Sequence, residues 1–335
     1  MAQDVAARDV TTVIGVGASA GGVDALIRIV RTLPAELSAA ICVVLHVPAT
    51  GRSLLAPILD RQTELAASVP SDGEPLQAGR LYVAPPDRHL TVGTGRLALG
   101  RGPKENGVRP AVDPLLRSLA SAYGEHSVAV ILSGALGDGS LGALAVKRAG
   151  GKVIVQDPED AMVPSMPESA LAAVGDVDEV LTSEQIGPAL QRLAGSAPPI
   201  REELVMTGGD EARPSGPPSG FTCPECHGPL WETAEGDLVR YRCRVGHAYS
   251  EDSMMLEQGS AVEAALWSAL EALEERAEFL NRMAARHRER RPQLHHRFAG
   301  AAEDALERAL LIRNALGLRG EAPKAFEVHS AEAAE

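Results

Sequence analysis

Short runs of β-branched and aliphatic residues alternate along the chain with stretches whose apolar positions recur every three or four residues. The first pattern predicts buried strands and the second helices with one packed face. Residues 11–16 are such a run, and Val23, Leu26 and Ile27 begin a helical stripe that stops near Pro34. Residues 39–45 form a second strand, ended by His46-Val47-Pro48, where proline breaks regular structure. A short helix over 53–61 with Ser53 as its cap precedes a strand-like stretch at 79–86. Leu90-Thr91-Val92 and Leu97-Ala98-Leu99 flank Gly93-Thr94-Gly95 as a hairpin. Asp113 is placed to cap a helix ending at Tyr123. Strands at 127–133, 152–156 and 179–182 then alternate with helices at 140–149, 167–173 and 183–193. Such alternation implies right-handed crossovers and a doubly wound α/β fold, with a largely parallel sheet covered on both faces.

Beyond residue 194 the pattern changes. Residues 195–220 are rich in proline, glycine and charge without apolar period, and predict a linker. Residues 221–250 hold three of the four cysteines as a small module. Val262, Leu266, Leu270, Leu273, Ala277, Leu280 and Met283 then recur at helical spacing. After a break at Arg291-Pro292, a second helix runs from about Phe298 to Leu316, with Leu306, Leu310 and Ile312 apolar and Gly317 as its stop. Together 251–317 predict an antiparallel helical hairpin whose leucine-rich face needs a partner. The organisation expected is therefore a tail at 1–10, a main domain at 11–194, the linker, the module, the hairpin, and a disordered alanine- and glutamate-rich tail at 318–335.

Within 335 residues, the net charge of −13 argues against general nucleic-acid binding. The basic cluster Arg286 to Arg291 reads as a solvated helix end. The amino terminus lacks the cationic start and apolar core of a signal peptide, and no run reaches the roughly 18 apolar residues of a membrane span, so a cytoplasmic protein without membrane insertion is expected. Cys42, alone in an apolar strand, is a small core residue.

The chemistry centres on Gly17-Ala18-Ser19-Ala20-Gly21, a strand-to-helix turn. It has the G-x-S-x-G form of a nucleophile elbow, whose glycines permit strained backbone beside free helix N–H groups. It also spells Gly15-x-Gly17-x-x-Ala20, a permitted dinucleotide fingerprint. That reading requires an acidic residue ending the second strand, and the residue there is His46. A third reading, in which Ser19 only caps the helix and the glycines only allow packing, yields to the same histidine, a general base at the same sheet edge. Asp138 in Gly134-Ala135-Leu136-Gly137-Asp138-Gly139 follows another strand and reaches that edge too. Ser19 as nucleophile, His46 as base and Asp138 as orienter would make a hydrolytic triad, in an order unlike the α/β-hydrolases.

GASAGG (17–22), LHVP (45–48), LYVAPPDRHL (81–90), RPAVD (109–113), LSGALGDGS (132–140) and QDPEDAMVPSMPESA (156–170) together resemble, in order, the motifs of the CheB protein-glutamate methylesterase domain. The resemblance implies that Ser19, His46 and Asp138 are the catalytic triad and that no cofactor is needed for catalysis. It further implies that the substrate is a glutamate methyl ester on a chemoreceptor-like helical protein, with glutamine deamidation open to the same acyl-enzyme route. Many relatives carry threonine at the position of Ala20 and methionine near Ala135; the backbone N–H groups of Ala20, Gly21 and Ala135 remain as oxyanion candidates. His89, Arg109, Asp113 and Met166 match motif positions and are read as capping, strand-end or packing residues. The first strand begins near the start of this sequence, so it resembles the stand-alone methylesterases without a receiver domain. A non-catalytic signalling scaffold that keeps the fold is the alternative.

Cys223-Pro224-Glu225-Cys226 brings two thiolates to one ion, and Cys243 and His247 complete a tetrahedral set with no open position. A structural zinc site is expected, with His227 less well placed than His247. A similar cysteine segment occurs in stand-alone CheB-like proteins. The helices at 251–317 are expected to serve receptor docking or self-association.

Overall fold

The computed structural model describes residues 10, 12–51, 53–196, 217–235 and 238–318. The expected tails, apart from their innermost residues, and most of the expected linker lie outside the described residues.

In chain order the first nine strands are β1 (Thr12–Ala18), β2 (Ala39–Leu45), β3 (Ala66–Ser68), β4 (Arg80–Val83), β5 (His89–Gly93), β6 (Arg96–Gly100), β7 (Ser127–Ile131), β8 (Lys152–Gln156) and β9 (Glu179–Leu181). Seven of them form one sheet in the order β3-β4-β2-β1-β7-β8-β9. Every neighbouring pair in it is parallel. β5 and β6 form the expected hairpin. β3 has no β-branched residue to announce it; three residues suffice to pair the edge of β4.

The helices α1 (Gly22–Val30), α2 (Leu55–Asp60), α3 (Val112–Tyr123), α4 (Ser140–Arg148), α5 (Ser165–Val174) and α6 (Ser183–Ser196) divide between the two faces. α1, α2 and α6 pack on one face through Leu26, Ile29, Leu59, Ile186 and Leu190 against Ile14, Val16 and Ala18. α3, α4 and α5 pack on the other through Leu115, Leu116, Val146 and Met166. Both faces are buried, which is why the strands read as continuous apolar runs. α1 buries Leu26 of the expected stripe together with Ala25, Ile29 and Val30; Ile27 packs partly buried beside them and Val23 is exposed.

Gly15 and Gly17 alternate with the apolar residues of β1 and turn toward α3. A Cβ on Gly15 would lie 2.5 Å from a Leu119 methyl and 2.6 Å from one of Leu116, and a Cβ on Gly17 would collide with Val112. The expectation that Gly17 supplies a strained backbone is corrected: it has no positive φ, and its service is to let α3 approach. Gly21, with φ of 79°, is the left-handed residue of the turn.

The cysteine module adds β10 (Leu230–Glu235), β11 (Leu238–Cys243) and β12 (Ala248–Ser250), an antiparallel sheet around Leu230, Tyr249 and Met254. The chain divides into two compact units between Met255 and Leu256, inside α7 (Glu251–His287).

In the second unit α7 is followed by α8 (Pro292–Ala315), which opens on Pro292 rather than near Phe298 because proline suits the first helical turn. The two are clasped by Arg313 on Glu274 at 2.6 Å and by His295 Nδ1 and the Ala284 carbonyl at 2.9 Å. Their interface buries Leu270, Ala277, Leu280 and Ala284 with Ala302, Ala305 and Ala309, while Leu310 and Leu311 face outward. Leu270, Ala277 and Leu280 of the expected stripe are buried, while on α8 alanines take the buried positions and Leu310 does not. Among the described residues no helix is long and apolar enough to cross a membrane.

Because Gly17 keeps ordinary backbone angles, Gly17→Ala adds only a methyl group against Val112. Overpacking of this kind costs about 1–3 kcal/mol, and chemical denaturation should register a loss of that size.

Candidate functional site

β1 and β2 run in register through Ala18↔Leu45, and the His46 N–H donates to the Ala18 carbonyl at 3.1 Å. Ser19 and His46 are each the first residue beyond a strand and so occupy neighbouring places on the carboxyl edge. On the other side the Ser19 N–H donates to the Ser133 carbonyl at 2.9 Å, and the Leu132 N–H to Gly17 at 2.9 Å, so the chain leaving β7 flanks the same point. β1 lies between β2 and β7, where the winding reverses, and the crevice at such a switch point is where open α/β sheets bind ligands.

His46 Nε2 and Asp138 Oδ2 are 2.6 Å apart, with the histidine side chain 13% and the aspartate 1% exposed. An ionised carboxylate only accepts, so Nε2 carries the proton and Nδ1 is the nitrogen left to act as a base. The Ser19 hydroxyl is partly buried and makes no hydrogen bond among the described residues. The structure thus joins His46 to Asp138 directly and brings Ser19 to their edge without a serine–histidine hydrogen bond. In apo geometry that contact is often loose. The N–H groups of Ala20, Gly21 and Ala135 have no acceptor among the described residues, and Ala20 and Ala135 are exposed. Gly134 packs bare against Ser19 and Met166, where a Cβ would sit 2.8 Å from that of Ser19.

Asp113 was expected to cap its own helix and Asp138 to orient His46. In the structure the two carboxylates also cap one another's neighbouring helices. Asp138 accepts the N–H groups of Val112 (2.6 Å) and Asp113 (3.2 Å), the start of α3. Asp113 Oδ1 accepts those of Gly139 (3.1 Å) and Gly142 (2.7 Å), the start of α4. Each carboxylate satisfies orphan donors of the other helix, at the end where the helix dipole favours negative charge. Asn106 Nδ2 bridges the pair, at 3.0 Å from Asp138 Oδ1 and 3.2 Å from Asp113 Oδ2.

Two buried carboxylates this close resist simultaneous ionisation. Burial raises the pKa of Asp138, but hydrogen bonding from His46, its charge, and the Val112 and Asp113 N–H groups outweigh burial and hold it below the ordinary carboxylate value. Burial and then the Asp138 charge raise Asp113 from 3.8 to about 7, against the opposing pull of Arg117. The negative charge therefore rests on Asp138, beside the imidazole.

His89, read as a strand-end residue in solvent, is instead buried. Its Nδ1 accepts the Ala111 N–H at 3.2 Å and its Nε2 meets the Pro103 carbonyl at 2.9 Å. Arg109 pairs with Asp87 and donates to the Gly102 carbonyl at 2.7 Å. A mostly apolar groove of about 310 Å³ is lined by Val23, Leu54, Ile58 and Pro86 among others, and by Leu45 and Val47, the chain neighbours of His46.

A sequence model of the family described as CheB methylesterase matches residues 14–190, just over half of the chain. The chain belongs to the CheB methylesterase family. It is 41% identical over 187 residues to a protein-glutamate methylesterase/protein-glutamine glutaminase of Paramagnetospirillum magneticum, covering 54% of this chain and 49% of that protein. With the corresponding protein of Azospirillum brasilense it shares 39% over 190 residues, 55% of this chain and 48% of the relative. The chain thus spans about half the length of these curated relatives. The crystal structure of the Thermotoga maritima CheB methylesterase catalytic domain matches with a TM-score of 0.52 and 38% identity, covering 54% of this chain and 98% of that one.

The Cys3His cluster lies beyond the CheB match. Ligand atoms of Cys223, Cys226, Cys243 and His247 all fall within 4.8 Å of one another, and His227 is not among them. Cys226 and Cys243 Sγ are 3.6 Å apart, and His247 Nδ1 lies 3.5 Å from Cys243 and 3.7 Å from Cys223. Edges of that size are those of a tetrahedron with about 2.3 Å Zn–S and about 2.0 Å Zn–N bonds, so the donor set fits zinc. Cys42 is fully buried and burial pushes its thiol up to about 12, as an inert core residue should be.

Reading the sequence missed Asn106. Asn106-Gly107 signals a turn, and nothing local announces its distant partners.

The folded state holds on Asp113 a proton that the unfolded chain releases near 3.8, so this group's contribution to stability falls as pH rises from about 4 through about 7. Asp138 works in the opposite sense, contributing above the ordinary carboxylate value and losing that contribution on acidification. Asp113→Asn should remove the first component. Denaturant titrations should find the variant gaining on wild type as pH rises across that window; a constant difference would contradict the assignment.

Proposed function

We propose that this chain is a protein-glutamate methylesterase, hydrolysing glutamate 5-O-methyl esters on a chemoreceptor-like helical protein with Ser19, His46 and Asp138 as its triad. The observation that carries the reading is the 2.6 Å contact of His46 Nε2 with buried Asp138 at the switch-point edge that also holds Ser19. The family and the names of its relatives supply the substrate class.

Ser19 Oγ attacks the ester carbonyl while His46 Nδ1 takes its proton, and Asp138 stabilises the imidazolium. The carbonyl oxygen, now negative, is received by N–H groups among those of Ala20, Gly21 and Ala135. Collapse breaks the bond to methoxide, which leaves as methanol with the proton from Nδ1. Water, deprotonated at the same nitrogen, then splits the acyl-serine and restores glutamate and the free hydroxyl. A glutamine side chain would follow the same route with ammonia leaving, in keeping with the glutaminase part of the relatives' names. The groove lined by Val23, Leu54 and Ile58 would take apolar residues beside the reacting one on the substrate helix. Exposed Trp267, Phe279, Leu310 and Leu311 support a docking or self-association role for the helical hairpin.

Purified enzyme should release methanol from a methylated receptor. Ser19→Ala should abolish release, and Asp138→Asn should slow it by about 10⁴-fold through the wrong imidazole tautomer. Release that survives in Ser19→Ala would refute the triad.

Cys223, Cys226, Cys243 and His247 would hold one zinc ion, which with four protein ligands supplies folding energy and no reaction chemistry. Elemental analysis should find about one zinc per chain, lost in Cys223→Ser with a drop in melting temperature. Metal-free protein with an equally stable module would rule the site out.

A further inference from the structure

Asn106 is buried to 8% exposure and lies in a left-handed conformation with φ of 53°, which asparagine tolerates better than most residues. Its two amide hydrogens go to Asp138 and Asp113. Its Oδ1 faces the end of the cysteine module and the first turn of α7, accepting the Ser250 N–H at 3.0 Å and the Ser253 hydroxyl at 2.9 Å. Carboxylates only accept and a backbone N–H only donates, so chemistry alone fixes which way the amide points. The Asn106 N–H donates in turn to the Ala248 carbonyl at 2.7 Å, on the residue after His247.

The neighbouring residues clamp the same junction. Glu105 receives Arg117 of α3 at 2.7 Å and Arg240 of β11 at 2.8 Å, with Arg240 only 6% exposed. Lys104 pairs with Glu225 of the module at 2.9 Å. The segment carrying Asn106 is thus held from outside by the module and reaches inward to the carboxylate that orients His46.

We propose that Asn106 is a positioning residue through which the cysteine module sets the placement of Asp138, and thereby of the His46 imidazole. The module then acts as a strut of the active site as well as an appended domain. The inference rests on reading Asp138 as the third member of the triad, and it assigns to that reading a control point outside the CheB match.

Two measurements on the full chain test it: the pH profile of Ser19 labelling by a fluorophosphonate probe, and the low-field proton resonance of the His46 Nε2–H bonded to Asp138. Asn106→Ala should slow labelling by about 10- to 100-fold, shift the pH profile and move the resonance, since small misplacements at a reacting centre have effects of that size. Ser253→Ala leaves Asn106 in place and removes one of its two outer donors. It should slow labelling about two- to tenfold and move the resonance in the same direction, and it carries the test if Asn106→Ala does not fold. Wild-type profile and resonance in both variants, or in Ser253→Ala alone where Asn106→Ala is unfolded, would overturn the proposal. If wild type is not labelled at Ser19 while the resonance responds to Asn106, the triad fails and the positioning role stands.

Discussion

A single buried carboxylate concentrates the constraints of the first unit. Asp138 accepts hydrogen bonds from the imidazole ending β2, from two N–H groups opening α3, and from the amide of Asn106. An ionised side chain at 1% exposure is tolerable only with its lone pairs filled by donors. Those donors come from elements far apart in sequence, so satisfying Asp138 requires the sheet, both helices and the connecting segment to be assembled together. Reciprocal capping by Asp113 ties α4 into the same assembly and, by taking up the proton, leaves the charge on Asp138.

Packing makes that arrangement geometrically available. α3 can place its first N–H groups against Asp138 only because Gly15 and Gly17 present no side chain to Leu116, Leu119 and Val112. The glycines that make this turn look like a phosphate-binding loop are thus explained by helix approach. The left-handed Gly21 and the bare Gly134 then bring Ser19 to the rim beside N–H groups of the α1 turn and of the loop after β7. Interior packing on one face of the sheet and polar order at its edge are consequences of the same few small residues.

The core of the parallel sheet, its helices and the hairpin were legible because the central strands are buried on both faces and read as dense apolar runs, whereas the short edge strand β3 carries no such signal. Ser19, His46 and Asp138 were legible because a parallel sheet puts the ends of its strands at one edge, so position along the chain translated into position in space. The convergence of Cys223, Cys226, Cys243 and His247 was legible because their spacing is that of a tetrahedral donor set. Hidden were relations that only tertiary structure creates: Asp113 and Asp138 each look like the cap of the helix they belong to, yet each serves the other's. Asn106 looks like a turn residue. In the helical hairpin Leu270, Ala277 and Leu280 are buried as their spacing indicates, whereas on α8 Ala302, Ala305 and Ala309 are buried and Leu310 lies outside, which hydrophobicity alone does not reveal.

The crystal structure of the chain after reaction with a fluorophosphonate tests the triad most directly. It should show phosphorus bonded to Ser19 Oγ, a phosphoryl oxygen within hydrogen-bonding distance of N–H groups from Ala20, Gly21 or Ala135, His46 Nδ1 turned toward the adduct, and Nε2 still on Asp138. An adduct on another residue, or one on Ser19 with His46 swung away from both groups, would contradict the triad.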